Sequence, residues 1–244
     1  MKPLILIVND DGIYSPGIQA LADAMVKIGK VTIIAPDNEQ SGKSHSLTLN
    51  DPIRLKHVNL KKGLKGWAVN GTPVDCAKVA IKKLFDKKPD LVFSGINLGA
   101  NLGRNLIYSG TVSAAYEGSI LGVSSAAISL DSFKGNNFVA AKYVATKIAN
   151  HLLKHKLPKG TMLNVNVPDI AKKDLKGFLV TKQGSQSFVD TYEKRIDPRG
   201  NSYFWIRGEM INDDSSIEYD GEAVSSGYVS VTPIQFRITN ELTF

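Results

Sequence analysis

The chain has 244 residues, of which 43% are apolar and 22% charged, enough to bury a sizeable core and to exclude general disorder. The length is long for one ordinary domain and short for two well-separated ones. Thirty Lys and Arg against 23 Asp and Glu leave a net charge of +7, which suits an anionic ligand and equally a lysine-rich solvated surface.

Leu4–Val8 is a continuous apolar run, the pattern of a strand covered on both faces. It ends at Asn9-Asp10-Asp11, too early for a secretory signal. No stretch approaches the ~18 apolar residues that span a bilayer. A cytoplasmic protein without a membrane partner is therefore expected. Ser15-Pro16 reads as the cap and first residue of a helix. Ile18, Leu21, Ala22, Met25 and Ile28 follow at helical spacing, and Gly29 ends it. Val31–Ala35 is a second buried strand, so the opening is a strand–helix–strand unit of a parallel sheet.

Residues 37–51 form a long polar loop. Pro52–Val58 and Gly66–Val69 read as a small antiparallel pair. Thr72-Pro73 caps a helix with Val74, Ala77, Ala80, Ile81 and Leu84 on its apolar face. Leu91-Val92-Phe93 is a third core strand. Ser94–Gly110 reads as a loop rich in Gly and Asn, leading into a small-residue helix near Thr111. Ser125–Leu130 and Met162–Val167 are further strands, with a long helix over Phe138–Leu153 between them. After residue 170 short strand-like pieces alternate with polar turns, at Gly177–Thr181, Ser202–Ile206 and Tyr228–Thr232. The expected fold is α/β: one Rossmann-like, mostly parallel body over 1–170, flanked by helices, with a β-rich extension over 171–244.

The single cysteine, Cys76, excludes an intrachain disulfide and a multi-cysteine metal site, and reads as a small buried helical residue. The four histidines are scattered. Gly42-Lys43-Ser44 imitates the end of a Walker A loop, but Asp37 stands where its first glycine belongs. The lysine clusters at 61–65 and 82–88 hold a single aromatic residue, Phe85, and not the series of interleaved aromatic residues of a nucleic-acid platform, so no stable nucleic-acid complex is expected.

In an open parallel sheet, ligands bind beyond the carboxyl ends of the strands. Asn9-Asp10-Asp11-Gly12, Asp37 to Gly42 and Ser94-Gly95-Ile96-Asn97 would converge there. Adjacent carboxylates repel each other, and a divalent cation is the economical remedy. Turn formation before Gly12 is the other reading. Oxygen donors suit magnesium or manganese. Tyr108-Ser109-Gly110-Thr111, at a helix start, offers exposed amides and hydroxyls for a phosphate, or simply a helix cap.

These motifs, with Asn70-Gly71-Thr72-Pro73 and the closing Gly227-Tyr228-Val229-Ser230-Val231-Thr232-Pro233, occur in an order that resembles the SurE family of stationary-phase survival proteins. The resemblance covers nearly the whole chain as a single SurE-like domain. It implies a metal-dependent phosphatase for nucleoside 5′- and 3′-monophosphates, with exopolyphosphatase activity in some members. It places metal ligands at Asp10, Asp11, Ser41 and Asn97, binding one magnesium or manganese ion, and phosphate contacts at Asn101, Ser109, Gly110 and Thr111. It further implies a homodimer or homotetramer that exchanges a C-terminal hairpin. Catalysis would rest on water activated by the metal, with Asp10 or Asp11 as proton acceptor. A phosphotransferase, or a non-catalytic nucleotide- or RNA-binding protein, would use the same cleft.

Overall fold

A computed structural model describes residues 2–135 and 137–235. The first unit follows the sequence closely: β1 (Leu4–Val8), α1 (Pro16–Met25) and β2 (Lys30–Pro36). Ser15 Oγ accepts from the Ile18 amide and Pro16 opens α1, so cap and first residue match the reading. β3 (Leu55–Asn59) and β4 (Lys65–Val69) pair antiparallel. α2 (Pro73–Val79) begins with a capping box between Thr72 and Asp75 and runs on as a π turn over Ala80–Leu84. β5 spans Leu91–Leu98, α3 Gly110–Ile120, β6 Ser124–Asp131, α4 Val139–Lys154 and β7 Thr161–Pro168.

The C-terminal part supplies β8 (Phe178–Val180), β9 (Ser187–Ile196), β10 (Ser202–Ile211), the short helix α5 (Asp220–Ser225) and β11 (Val229–Gln235). Among the described residues nine strands form one sheet in the order β3-β4-β2-β1-β5-β6-β7-β11-β8, while β9 and β10 pair only with each other. The neighbours from β4 through β7 are parallel, and β11 joins β7 antiparallel. One core lies between the sheet and α1 with α4, around Ile5, Phe93, Leu21 and Val144. A second lies under α2 and α3, around Leu6, Val8, Cys76 and Ala114. Cys76 is a fully buried helical residue, as its sequence context implies. Among the described residues no helix is long and apolar enough to cross a membrane.

Three expectations need correction. The stretch read as loop from Ser94 is the continuation of β5 as far as Leu98, followed by a 3-10 helix at Gly103–Tyr108. Pairing with β1 and β6 explains the extension, because Val8 faces Ser94 and the ladder with β6 reaches Leu98 through a shift between Gly95 and Asn97. The C-terminal pieces are longer than they read: β9 and β10 have ten residues each, in register from Ser187–Ile211 to Ile196–Ser202. α5 had no signal at all, being six residues long with two acidic residues in its first turn.

The strand order fixes where a ligand can enter. From β1 the chain moves outward to β2, and later returns on the other side as β5. The crevice beyond β1 and β5 is thus a switch point of the sheet.

Candidate active site

Beyond Val8 the chain leaves the sheet at Asn9. The buried Asn9 amide donates to the Gly12 carbonyl at 3.1 Å and to Ser15 Oγ at 2.7 Å, tying the acidic turn to the start of α1. Gly12 sits at φ 94°, a conformation L side chains rarely adopt.

Asp10 is buried and aimed at the first turn of α3. The Thr111 amide donates to Asp10 Oδ2 at 3.0 Å, and the Thr111 hydroxyl donates to Asp10 Oδ1. The positive end of the helix favours the carboxylate there. This approach needs glycine at 110: a Cβ would lie 2.8 Å from Asp10 Cβ and 3.0 Å from Pro73 Cγ. Burial raises the Asp10 pKa against the pull of the Thr111 and Gly110 hydrogen bonds.

Asp11 turns toward the end of β5. Burial, then the charges of Asp10 and Glu39, push its pKa up to about 7, and only the Leu98 main-chain amide favours its ionised form. Asp11 Oδ2 is buried without a hydrogen-bond partner. Asn97 stands beside the pair. Its amide nitrogen donates to Gly99 O at 2.8 Å and Leu98 O at 3.3 Å, which leaves Oδ1 facing Thr111 Oγ1 at 3.5 Å.

The expected donors are therefore unequally placed. Asp10, Asn97 and Thr111 meet directly. Ser41 lies at the exposed rim, its hydroxyl donating to Glu39 Oε1 at 2.7 Å, on a loop joined to the acidic turn by the Gln40 amide and the Asp10 carbonyl at 2.8 Å. Among the intended phosphate contacts, Gly110 and Thr111 serve Asp10, so the anion seated at the start of α3 is the chain's own carboxylate. Ser109 caps α3, its Oγ accepting from the Val112 amide at 3.1 Å. Asn101 is buried in an amide cluster: its side chain donates to Ser129 Oγ, and its carbonyl accepts from Asn164 at 2.8 Å and Asn166 at 3.1 Å.

Several supporting residues escaped the sequence reading. Asn164 and Asn166 carried a usable signal, two amides on alternate positions of a strand buried throughout. Asp220 carried none. It is buried at the start of α5 and accepts from the amides of Gly103 (3.0 Å), Gly184 (3.0 Å) and Gly221 (2.8 Å). Burial raises its pKa, and those hydrogen bonds oppose the rise. It joins the C-terminal part to the 3-10 segment before Ser109. Glu117 of α3 is also buried, paired with His45 and with Lys78 of α2. Burial would raise its pKa, but the bonds and charges of these two partners hold it below the usual carboxylate range.

The residues fit a hard cation. Two carboxylates and an amide oxygen converge on one edge, one carboxylate oxygen is buried and unpartnered, and the Asp10 charge discourages ionisation of Asp11. A divalent ion answers all three. Among the described residues no group of three or more His, Cys, Asp and Glu is placed to hold a metal, so this mixed oxygen set stands without a nitrogen- or sulfur-rich rival there.

Fold and site together define an α/β protein with an acidic, oxygen-lined crevice at the switch point of its sheet. The chain belongs to the SurE family: the family model described as Survival protein SurE matches residues 5–190. It is 42% identical over 241 residues to a protein of Carboxydothermus hydrogenoformans named 5′-nucleotidase SurE, covering 97% of this chain and 91% of that one. It is 44% identical to a protein of the same name from Chlorobium phaeobacteroides over 239 residues, 98% of this chain and 93% of that one. The crystal structure of the SurE protein from Aquifex aeolicus superposes with a TM-score of 0.85 at 41% identity, covering 98% of this chain and 95% of that one.

Proposed function

We propose that the chain is a metal-dependent phosphomonoesterase that hydrolyses nucleoside monophosphates, a 5′-nucleotidase like the relatives so named. The observation that carries the reading is the pair of buried Asp10 and half-buried Asp11, with its unpartnered Asp11 oxygen, beside Asn97. Asp10, Asp11 and Asn97, with Ser41 from the rim, would hold one magnesium or manganese ion. Such an ion supplies Lewis acidity toward phosphoryl oxygens and acidifies water.

The chain's own groups do the rest. Thr111 and the start of α3 favour the ionised form of Asp10 and fix its direction. Ser109 Oγ accepts from Val112, so its proton is available to a phosphoryl oxygen. Asn101 brings a second N–H, the first being engaged by Ser129. Asp10 or Asp11 would accept the proton of the attacking water. Water adds to phosphorus, the bond to the sugar oxygen breaks, and that oxygen takes a proton. The test is release of inorganic phosphate from 5′- and 3′-mononucleotides and from polyphosphate, with chelator and after restoring magnesium or manganese. Metal-dependent release from the 5′-mononucleotide is expected. No release from any mononucleotide would overturn the reading, and phosphate passed to an alcohol acceptor would mark a transferase.

The same reading includes self-association through the β9–β10 hairpin. Among the described residues its two strands pair only with each other, and Phe188, Tyr192, Tyr203, Phe204 and Trp205 are exposed. Such a surface calls for a partner, and a second copy supplies one. Light scattering should report a dimer or tetramer; a stable 26.5 kDa monomer at micromolar concentration would reject it.

A further inference from the structure

The loop that carries Ser41 has no regular structure between Pro36 and Leu55, and residues 41–43 are exposed. No core holds it. It is held at points. The Gln40 amide reaches the Asp10 carbonyl at 2.8 Å. Ser44 donates from its amide to Tyr108 O at 3.1 Å and from its hydroxyl to Ile107 O at 2.8 Å. Thr48 donates from its amide and hydroxyl to Asp75. Thr72 Oγ1 donates to Ser46 O at 2.8 Å. A further anchor is His45, whose Nε2 lies 3.0 Å from Glu117 Oε2. Its ring also meets Tyr116 edge-on, with centroids 5.8 Å apart.

This anchor differs from the others in where its partner stands: Glu117 is a buried carboxylate of α3, whose first turn binds Asp10. Lys78 occupies the other Glu117 oxygen at 3.0 Å, so α2, α3 and the loop meet at one charged group. A buried carboxylate left short of a partner is costly, which makes the contact worth keeping.

We propose that His45 is a positioning residue: through Glu117 it fixes the Ser41 loop to α3, so that the rim hydroxyl and the Asp10 end of the site are held as one unit. This rests on the reading of Asp10, Asp11, Asn97 and Ser41 as a cation site. Its effect is on ground-state assembly of that site, not on proton transfer.

The test follows manganese binding by calorimetry on the full chain without substrate, together with KM and kcat for a 5′-mononucleotide. His45→Leu keeps apolar bulk beside Tyr116 and removes the ring nitrogen. Metal affinity should fall about tenfold and KM rise by a similar factor, with kcat at saturation within about twofold of wild type. His45→Gln restores an N–H donor and should recover affinity to within about threefold. Ser41→Ala, alone and combined with His45→Leu, closes a double-mutant cycle; if His45 acts through Ser41, the double variant loses no more than the larger single loss. Wild-type manganese affinity in His45→Leu, or additive losses in the cycle, would overturn the proposal. Should His45→Leu fail to fold, Glu117→Gln takes its place, and wild-type affinity there is equally fatal. A wild type that binds manganese but releases no phosphate refutes the nucleotidase reading instead, and calorimetry alone then judges His45.

Discussion

The carboxyl edge of the sheet and the β9–β10 hairpin are built on opposite terms. At the edge, polar groups are buried and many are matched: Asn9 to Gly12 and Ser15, Asp10 to Thr111, Asn101 to Asn164 and Asn166, Asp220 to three amides. In the hairpin, large apolar groups stand in water; every residue of β10 is exposed, and Trp205 keeps 56% of its surface accessible. Each region is incomplete in its own currency. At the edge two carboxylates stand side by side, and buried oxygens of Asn9, Asp11, Ser94 and Asn164 have no hydrogen-bond partner, whereas the apolar side chains of the hairpin stand uncovered among the described residues. Chemistry is thereby expected at the first and association at the second.

The sharpest way to separate them is Asp11→Asn, which keeps size and removes one charge. Turnover should fall by about a hundredfold or more, with weaker metal binding. The metal-free protein should respond in the opposite sense. A raised pKa means that the native state holds the Asp11 proton more tightly than the unfolded chain. The linked stability is therefore full below the ordinary value of 3.8 and is lost as pH rises through about 7. Asp11→Asn removes that slope, so at pH 8 the metal-free variant should melt later than the metal-free wild type. Melting curves at pH 5 and 8 in chelator check this, and an unchanged slope would refute it.

Gly110→Ala tests the packing that aims Asp10. The new methyl meets Asp10 and Pro73 well inside contact distance. Overpacking of this kind costs about 1–3 kcal/mol. Both the melting temperature and the metal affinity should drop. Thr111→Val is gentler, since shape is kept, but Asp10 loses its hydroxyl donor; a loss of about 1–3 kcal/mol is expected in urea denaturation, together with weaker turnover. Unchanged kinetics would remove Thr111 from the site.

The smallest effect on the body belongs to the hairpin. Trp205→Ser should change the unfolding free energy of the full chain by no more than about 0.5 kcal/mol, because the side chain is exposed. Sedimentation should nonetheless show weaker self-association. A large loss of body stability with unaltered association would reverse the contrast drawn between the two regions.

Much of the edge was legible before any coordinates. Apolar runs located β1, β2, β6 and β7, caps located α1 and α2, and the loops after the strands pointed to Asp10, Asp11 and Asn97. All of these are local signals, written within a few residues by periodicity, capping and turn chemistry. Other features needed the folded chain. β5 reads as three apolar residues and extends to Leu98 only because its neighbours continue the ladder. The hairpin's full length depends on one strand finding the other.

The same division runs through the site. From sequence alone followed the α/β class, the oxygen-rich loops and the pair of adjacent carboxylates, because each is a property of a short segment. Tertiary structure decided what each group faces. Thr111 lies 101 positions from Asp10, His45 lies 72 from Glu117, and Gly103 lies 117 from Asp220. Residues so far apart leave no mark on one another's local pattern, and their pairing follows from strand order and helix packing, which bring distant segments within hydrogen-bonding distance.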